Sequence, residues 1–332
     1  MLLSSSVFAQ SSFDSRAQQT AASRAADPWL ADQIRANMAF LASDELRGRG
    51  SGTRDEHLAA LFAASEFEAM GLQPGGDPGS YIQKIALPPE LAARIHQRSA
   101  GFEEVPRSET WNTVAILPGS DAASGVLLLT AHLDHLGVGA ADKSGDQIYN
   151  GADDDASGIS AVLALARALS AGPRLKRTVV FALFGSEEIG GFGNAGFLLS
   201  PPVPLTSIIA NLEFEMIGRP DPAVGEFGLW FTGYERSNLG AELVKHGAPL
   251  KADPHPSQRF FLRSDNIALA RTGIVAQTVS SFGLHSDYHR PSDQISSIDF
   301  PHLIRAVTSM IEPIRWLAGT DWRPSWNPGG RP

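Results

Sequence analysis

Short apolar runs separated by helical patterns organise most of the chain. Residues 114–117, 125–130, 178–184, 207–215, 227–232 and 274–279 read as strands. Their apolar content is nearly continuous, as expected for strands covered on both faces. Between and after them, 156–169, 237–246 and 300–317 carry apolar residues at helical spacing. Ahead of the strands, Pro28 fits a first helical turn and Ile34, Met38 and Leu41 share one face. A glycine-rich break, Gly48 to Gly52, leads to a second helix over 56–70, closed by Gly71. Residues 74–110, with Pro88-Pro89 and little periodicity, are expected to wrap the surface. The alternation predicts an α/β fold of three layers, a mixed and mostly parallel sheet between helices, with an amino-terminal helical extension packed on it. In such sheets, ligands bind beyond the carboxyl ends of the strands.

Composition narrows the chemistry. At 332 residues, 43% hydrophobic and 19% charged, the chain can bury a large core. We read 27–332 as a single domain. The net charge, 27 − 36 = −9, is dispersed and argues against a nucleic-acid partner. No run approaches the ~18 apolar residues of a membrane span. There is no cysteine, which excludes disulfides, thiolate metal sites and cysteine nucleophiles. The opening residues, MLLSSSVFAQ, end in a small-residue pattern that fits signal cleavage after Ala9, although no basic segment precedes it. With the Ser/Ala/Gln-rich stretch that follows, 1–26 reads as an export-signal remnant and tether. A periplasmic or secreted location is therefore expected.

The strand ends carry the chemistry. After VLLLT come Ala131-His132-Leu133-Asp134-His135, and a loop then delivers Asn150-Gly151-Ala152-Asp153-Asp154-Asp155 into a helix. TVVFALF is followed by Gly185-Ser186-Glu187-Glu188, IIANLEF runs into Glu215, and IVAQTV precedes His285-Ser286-Asp287-Tyr288-His289. A single acidic pair is ordinarily a solvated turn, and an Asp before a helix is ordinarily a cap. Asp155 fits a cap well. The coincidence of all five at successive strand termini instead points to a metal site. Its imidazole and carboxylate groups suit zinc, or manganese or cobalt. Gly190-Gly191-Phe192-Gly193 is not a phosphate loop, since it lacks the Lys-Ser/Thr and follows an acidic pair.

Together AHLDHLG, IYNGADDDASG, FALFGSEEIGGFGNAGF, NLEFEMIGR and SDYHRPSD resemble, in order and spacing, the co-catalytic di-zinc peptidases that include bacterial leucyl aminopeptidases, aminopeptidase Y and glutamate carboxypeptidase II. MAFLASDELRGRGSGT and MGLQPGGDPGSYIQ resemble exported bacterial members. The resemblance implies two zinc ions bound by His132, Asp153, Glu188, Glu215 and His289, with Asp153 bridging and the Asp153–Asp154 peptide cis. Glu215 stands where Asp is commoner. The resemblance also implies that Asp134 orients His132, that Glu187 is general base to a metal-bridging water, and that Tyr288 donates to the oxyanion. His135 reads as a supporting or structural residue, while His285 and Asp287 are unassigned. Arg263-Ser264-Asp265-Asn266, after Phe260-Phe261, falls where the family builds its substrate pocket, and Phe282 is a further candidate for that pocket. The activity implied is peptide hydrolysis, foremost as an aminopeptidase acting on peptide substrates. The rivals are a carboxypeptidase using a pocket Arg such as Arg263, a glutaminyl cyclase, and a binding protein with a dead site. The cyclase needs only one zinc, so an intact His132/Glu215 pair counts against it.

Overall fold

The structure, a computed structural model, describes residues 28–89 and 107–332. The expected export signal and tether, 1–26, lie outside the described residues.

Helix α1 (Pro28–Leu41) buries Leu30, Ile34, Met38 and Leu41 along one stripe. Helix α2 (Arg54–Ala69) starts at Thr53, whose hydroxyl accepts from the amides of Asp55 and Glu56. It then buries Ala59, Ala60 and Ala63, small residues that let it lie close to the sheet, and the larger Phe67. The strands follow: β1 (Gln73–Pro74), β2 (Ile82–Ala86), β3 (Glu109–Leu117), β4 (Val126–His132), and a small hairpin, β5 (Gly137–Val138) with β6 (Ile148–Tyr149). Helix α3 (Gly158–Ser170), β7 (Thr178–Phe184), helix α4 (Phe192–Leu199), β8 (Ile208–Phe214) and β9 (Leu229–Phe231) come next. Helix α5 (Leu239–Lys245), β10 (Leu250–Ala252), helix α6 (Asn266–Thr272), β11 (Val275–Ser280) and helix α7 (Phe300–Gly319) complete the order.

Among the described residues the main sheet has nine strands, in the order β1-β3-β7-β4-β8-β11-β9-β10, with β2 also on β3. The centre, β7-β4-β8-β11, is parallel. Toward the edges β3 runs antiparallel to β7, and β9 antiparallel to β11. Alternating side chains feed two cores. Leu127, Leu129, Phe181, Leu183, Leu212 and Phe214 pack under α1, α2, α3 and α7. Leu128, Val180, Ala182 and Phe184 face the α4 and α6 side with Phe197 and Leu269. Because the four central strands are parallel, their carboxyl ends share one rim.

The three-layer expectation is met, and the strand at 178–184 is recovered with its bounds unchanged. Of the stretch 74–110, residues 90–106 lie outside the described residues; the described part departs from expectation, because it supplies β2, which pairs antiparallel with β3 from Ile82↔Thr113 to Ala86↔Glu109. The five residues of β2 include the buried Gln83 and the exposed Lys84 and Ala86, so its apolar signal is weak. The glycine run after the acidic pair opens α4. A Cβ on Gly193 would lie 2.3 Å from Asn112 Oδ1, so glycine is what lets the helix sit this close to the sheet.

Beneath the rim, the break at Gly48 to Gly52 inserts Arg49 into the interior, fully buried. Its guanidinium donates to the carbonyls of Leu41, Leu133, Asn150 and Gly151, joining α1, the end of β4 and the loop before α3. Arg49→Met removes a donor from all four carbonyls, of which Gly151 keeps the Ala156 amide, and removing one member of a buried charged network costs about 3–5 kcal/mol. Denaturant unfolding of the variant is expected to show a loss of that size, and an unchanged midpoint would refute the strap.

Candidate metal centre

The loop after β6 places the acidic triplet. Gly151 turns into the left-handed region (φ 58°), where a Cβ would strike the ring of His135 at 2.6 Å. Asp293 then fixes the next turn: its carboxylate accepts from the amides of Asp153 (3.0 Å) and Asp154 (3.1 Å). The three aspartates diverge from here. Asp153 accepts from the Gly218 amide (2.7 Å) through Oδ1 and faces His285 Nε2 (3.0 Å) through Oδ2. Asp155 accepts from the amides of His132, Gly158 and Met216, so it both caps α3 and ties the ends of β4 and β8 together. Asp154 alone turns to the rim.

Asp154 lies between two groups of donors. One comprises His135, Asp154, Glu188 and His289; the other comprises His132, Asp154 and Glu215. Within each group the donor atoms all lie within 4.8 Å of one another. Oδ1 of Asp154 is 3.0 Å from His132 Nε2, and Oδ2 is 3.2 Å from His289 Nε2. Asp154, not Asp153, is therefore placed to bridge, and the cis peptide is Asp154–Asp155 rather than the bond expected one residue earlier. Of the other expected ligands, His132 and Glu215 fall in one group and Glu188 and His289 in the other.

The sequence reading missed His135 as a donor. It is fully buried, and its Nδ1 lies 2.8 Å from Glu188 Oε1. Its Nε2 lacks any hydrogen-bond partner among the described residues, while its Nδ1 and Nε2 of His289 meet their carboxylates at contact distance without hydrogen-bond geometry. Buried imidazole nitrogens left unpaired beside carboxylates are costly without a further ligand. This donor set of nitrogen and oxygen atoms without thiolate fits zinc-type ions.

The acidic pair is aimed by the turn that follows β7. Ser186 adopts φ 55°, and its amide donates to Glu56 Oε1 (2.7 Å). Asp134 then receives the next two amides, Glu187 N on Oδ1 (2.9 Å) and Glu188 N on Oδ2 (3.2 Å), with Ser51 donating to the same carboxylate. Asp134 was expected to orient His132. Its carboxylate lies 3.7 Å from Nδ1 of that ring, and its backbone carbonyl is the nearer partner, at 3.0 Å. The carboxylate instead serves the Glu187–Glu188 turn. Glu187 lines a pocket with Asp154, Glu188, Glu215, Arg263 and Tyr288, walled by Trp230, Phe260 and Phe282. Tyr288 stacks on His289 with ring centroids 3.9 Å apart.

Crowded charge shapes the site. Burial and then Asp154 push Glu188 up, but the imidazoles of His289 and His135 prevail and hold it at about 2. Burial opposes a charged His289, yet Glu188 and Asp154 raise it to about 10. Glu187 is raised well above the usual carboxylate range by burial, with Glu188, Asp265 and Glu215 adding to the shift against His132. Burial, then the negative charges of Asp154, Glu188 and Glu215, push the Tyr288 phenol up, so it stays a donor.

An α/β sheet whose strand ends gather imidazoles and carboxylates around a shared aspartate is the build of a metal-dependent hydrolase. The chain belongs to peptidase family M28, whose sequence profile matches residues 112–312, and so to the metallopeptidases. It is 31% identical over 102 residues to the "Probable lipoprotein aminopeptidase LpqL" of Mycobacterium tuberculosis, covering 30% of this chain and 18% of that protein. It is 30% identical over 154 residues to human "Carboxypeptidase Q", covering 45% of this chain and 29% of that protein. The matches thus span less than a third of these relatives. Among solved structures, the zinc aminopeptidase BSAP of Bacillus subtilis superposes with TM-score 0.67 at 15% identity, covering 88% of this chain and 96% of that one. The glutaminyl cyclase of Porphyromonas gingivalis gives 0.63 at 15%, covering 86% and 98%. At these identities the structures establish the fold.

Asp154 and Asp153 can be told apart by metal content. Asp154→Asn is expected to empty both donor groups, whereas Asp153→Asn keeps the stoichiometry of the parent in elemental analysis after dialysis. The reverse pattern would return the bridging role to Asp153.

Proposed function

We propose that the chain is a di-metal exopeptidase, an aminopeptidase in the first instance, holding two zinc ions, with manganese or cobalt as acceptable substitutes. The observation that carries this reading is the pair of donor groups sharing Asp154, with Glu187 on the wall of the same pocket. His135, Glu188 and His289 would hold one ion, His132 and Glu215 the other, and Asp154 both. Glu215 fills the position where Asp is commoner, and its carboxylate still reaches the group. The zinc aminopeptidase fold relative and the aminopeptidase among the sequence relatives support the choice of amino-terminal cleavage.

The ions, when bound, supply Lewis acidity toward the scissile carbonyl and lower the pKa of water. The chain's own residues do the rest. Glu187, free of any metal group, takes the proton from the attacking water and delivers it to the leaving amine. Asp134 holds the backbone of Glu187 and Glu188, so that one carboxylate faces the donor groups and its neighbour faces the water. Tyr288 keeps its phenolic proton and offers it to the oxygen that becomes negative. The aromatic wall of Trp230, Phe260 and Phe282 takes an apolar side chain. A cyclase reading is disfavoured by the completeness of both donor groups.

Glu187→Gln retains shape and hydrogen bonding but cannot accept a proton. Its turnover on blocked and unblocked dipeptides is expected to fall by ~10²–10⁴-fold, with metal content unchanged. Glu188→Gln is expected to lose one ion. A Glu187→Gln enzyme slowed less than tenfold would remove Glu187 from the chemistry.

A further inference from the structure

The groups that set the direction of Glu187 come partly from outside 112–312, the span that matches the family profile. Three consecutive amides in the turn after β7 end on buried carboxylates. Those of Glu187 and Glu188 donate to Asp134, and that of Ser186 donates to Glu56, in the first turn of α2. The segment between α1 and α2 serves both acceptors, since Ser51 donates to Asp134 and Glu56 follows five residues later. Thr53 and Glu56 have the spacing of a capping box, in which the glutamate reaches back to an amide at the helix start. That role uses one oxygen: Oε2 accepts from the Gly52 amide at 3.0 Å. Oε1 turns the other way and accepts from the Ser186 amide (2.7 Å) and hydroxyl (3.2 Å). Thr110 Oγ1 lies 3.0 Å from both oxygens and fixes the carboxylate between the two tasks.

Glu56 is fully buried and has no ion-pair partner among the described residues. A carboxylate buried without a cation is costly, and a helix start can be capped from the surface without it. The turn it meets is shaped to receive it. A Cβ on Gly185 would lie 2.7 Å from Glu56 Oε1 and 2.4 Å from Thr110 Oγ1, so glycine is what admits the carboxylate against this backbone. Ser186 has φ 55°, in the left-handed region that disfavours any residue with a side chain. Glu56 engages its amide and its hydroxyl, while its carbonyl accepts from the amides of Gly191 and Phe192. Glu187 is the next residue, and its direction is set by this turn.

We propose that Glu56 is a positioning residue for peptide hydrolysis: by holding Ser186 in its left-handed turn, it aims the Glu187 carboxylate at the attacking water. The working unit of the enzyme then includes the segment that joins α1 to α2, beyond the span matched by the family profile. This inference rests on the peptidase reading above, in which Glu187 is the general base.

The test uses the zinc-loaded full chain with Leu-p-nitroanilide and Leu-Gly as substrates. Glu56→Gln keeps the volume of the side chain but offers one acceptor oxygen to two amides on opposite sides. Misplacing a reacting group by about 1 Å costs up to ~10²-fold, so kcat is expected to fall by ~10–10²-fold with KM and zinc content near those of the parent. Glycine adopts the left-handed region freely, so adding Ser186→Gly to Glu56→Gln should recover part of the lost kcat. A residue that acts through Glu187 has nothing left to position once the base is gone, so Glu56→Gln should slow a Glu187→Gln enzyme no further. Glu56→Asp, which keeps the charge but is too short to span both amides, replaces Glu56→Gln if that variant does not fold, with the same expectations. Parental kcat, a loss carried by KM or zinc content alone, no recovery with Ser186→Gly, or a full further loss in the Glu187→Gln background overturns the proposal. A parent that cleaves neither substrate sinks the peptidase reading instead. Hydrogen exchange then decides the role of Glu56: faster exchange of the Ser186 and Glu187 amides in Glu56→Gln supports it, and unchanged exchange overturns it.

Discussion

Carboxylate crowding is the constraint around which the rest of this molecule is arranged. Asp154, Glu187, Glu188 and Glu215 face one small pocket, and Glu213 and Asp265 lie buried behind it. Two like charges 4 Å apart repel by about 4 kcal/mol at the effective dielectric of a protein surface. His132, His135, His289 and Arg49 offset part of this. The remainder appears in the proton affinities. Burial, then the charge of Glu215, raises Glu213 to about 7, and burial likewise carries Glu215 to about 7, with Asp154 adding and His132 opposing. A chain that gathers such groups with so little neutralisation is built around cations it does not itself encode.

The fold meets the constraint by giving neighbouring acids different tasks. Consecutive residues in extended chain point to opposite faces, so adjacent carboxylates are steered by distant hydrogen bonds. Asp293 and the Gly218 amide turn Asp153 inward, amides from three segments engage Asp155, and Asp154 is left for the rim. In the same way Asp134 gathers the amides of Glu187 and Glu188, while Glu56 holds Ser186 in its left-handed turn. The parallel strands bring the segments to one edge, and these buried acids set the direction of each side chain there.

That division explains what could be read from sequence. β7 was legible to the residue because it is apolar on both faces, and the rim position of His132, Glu188, Glu215 and His289 followed from strands ending beside them. β2 was hidden because an edge strand beside prolines and glycines carries little periodicity. The choice of Asp154 over Asp153 had no local signal: three identical side chains in a row differ only in partners as far away as Asp293 and Gly218. His135 was missed for a related reason, since its backbone bridges to Gly50 and its amide donates to the Arg49 carbonyl, a long-range contact that sets its ring beside Glu188. The resemblance to the di-zinc peptidases supplied the chemistry, and the geometry corrected its register by one residue.

The central claim is that the shared-aspartate cluster exists to bind two divalent cations. The most direct measurement is calorimetric titration of the metal-stripped protein with zinc, with thermal unfolding followed across the same concentrations. The account predicts close to two equivalents bound and a Tm that rises with free zinc, because ions that bind only the folded state stabilise it in proportion to the logarithm of their concentration. No saturable binding, with a Tm that zinc leaves unchanged, would contradict it.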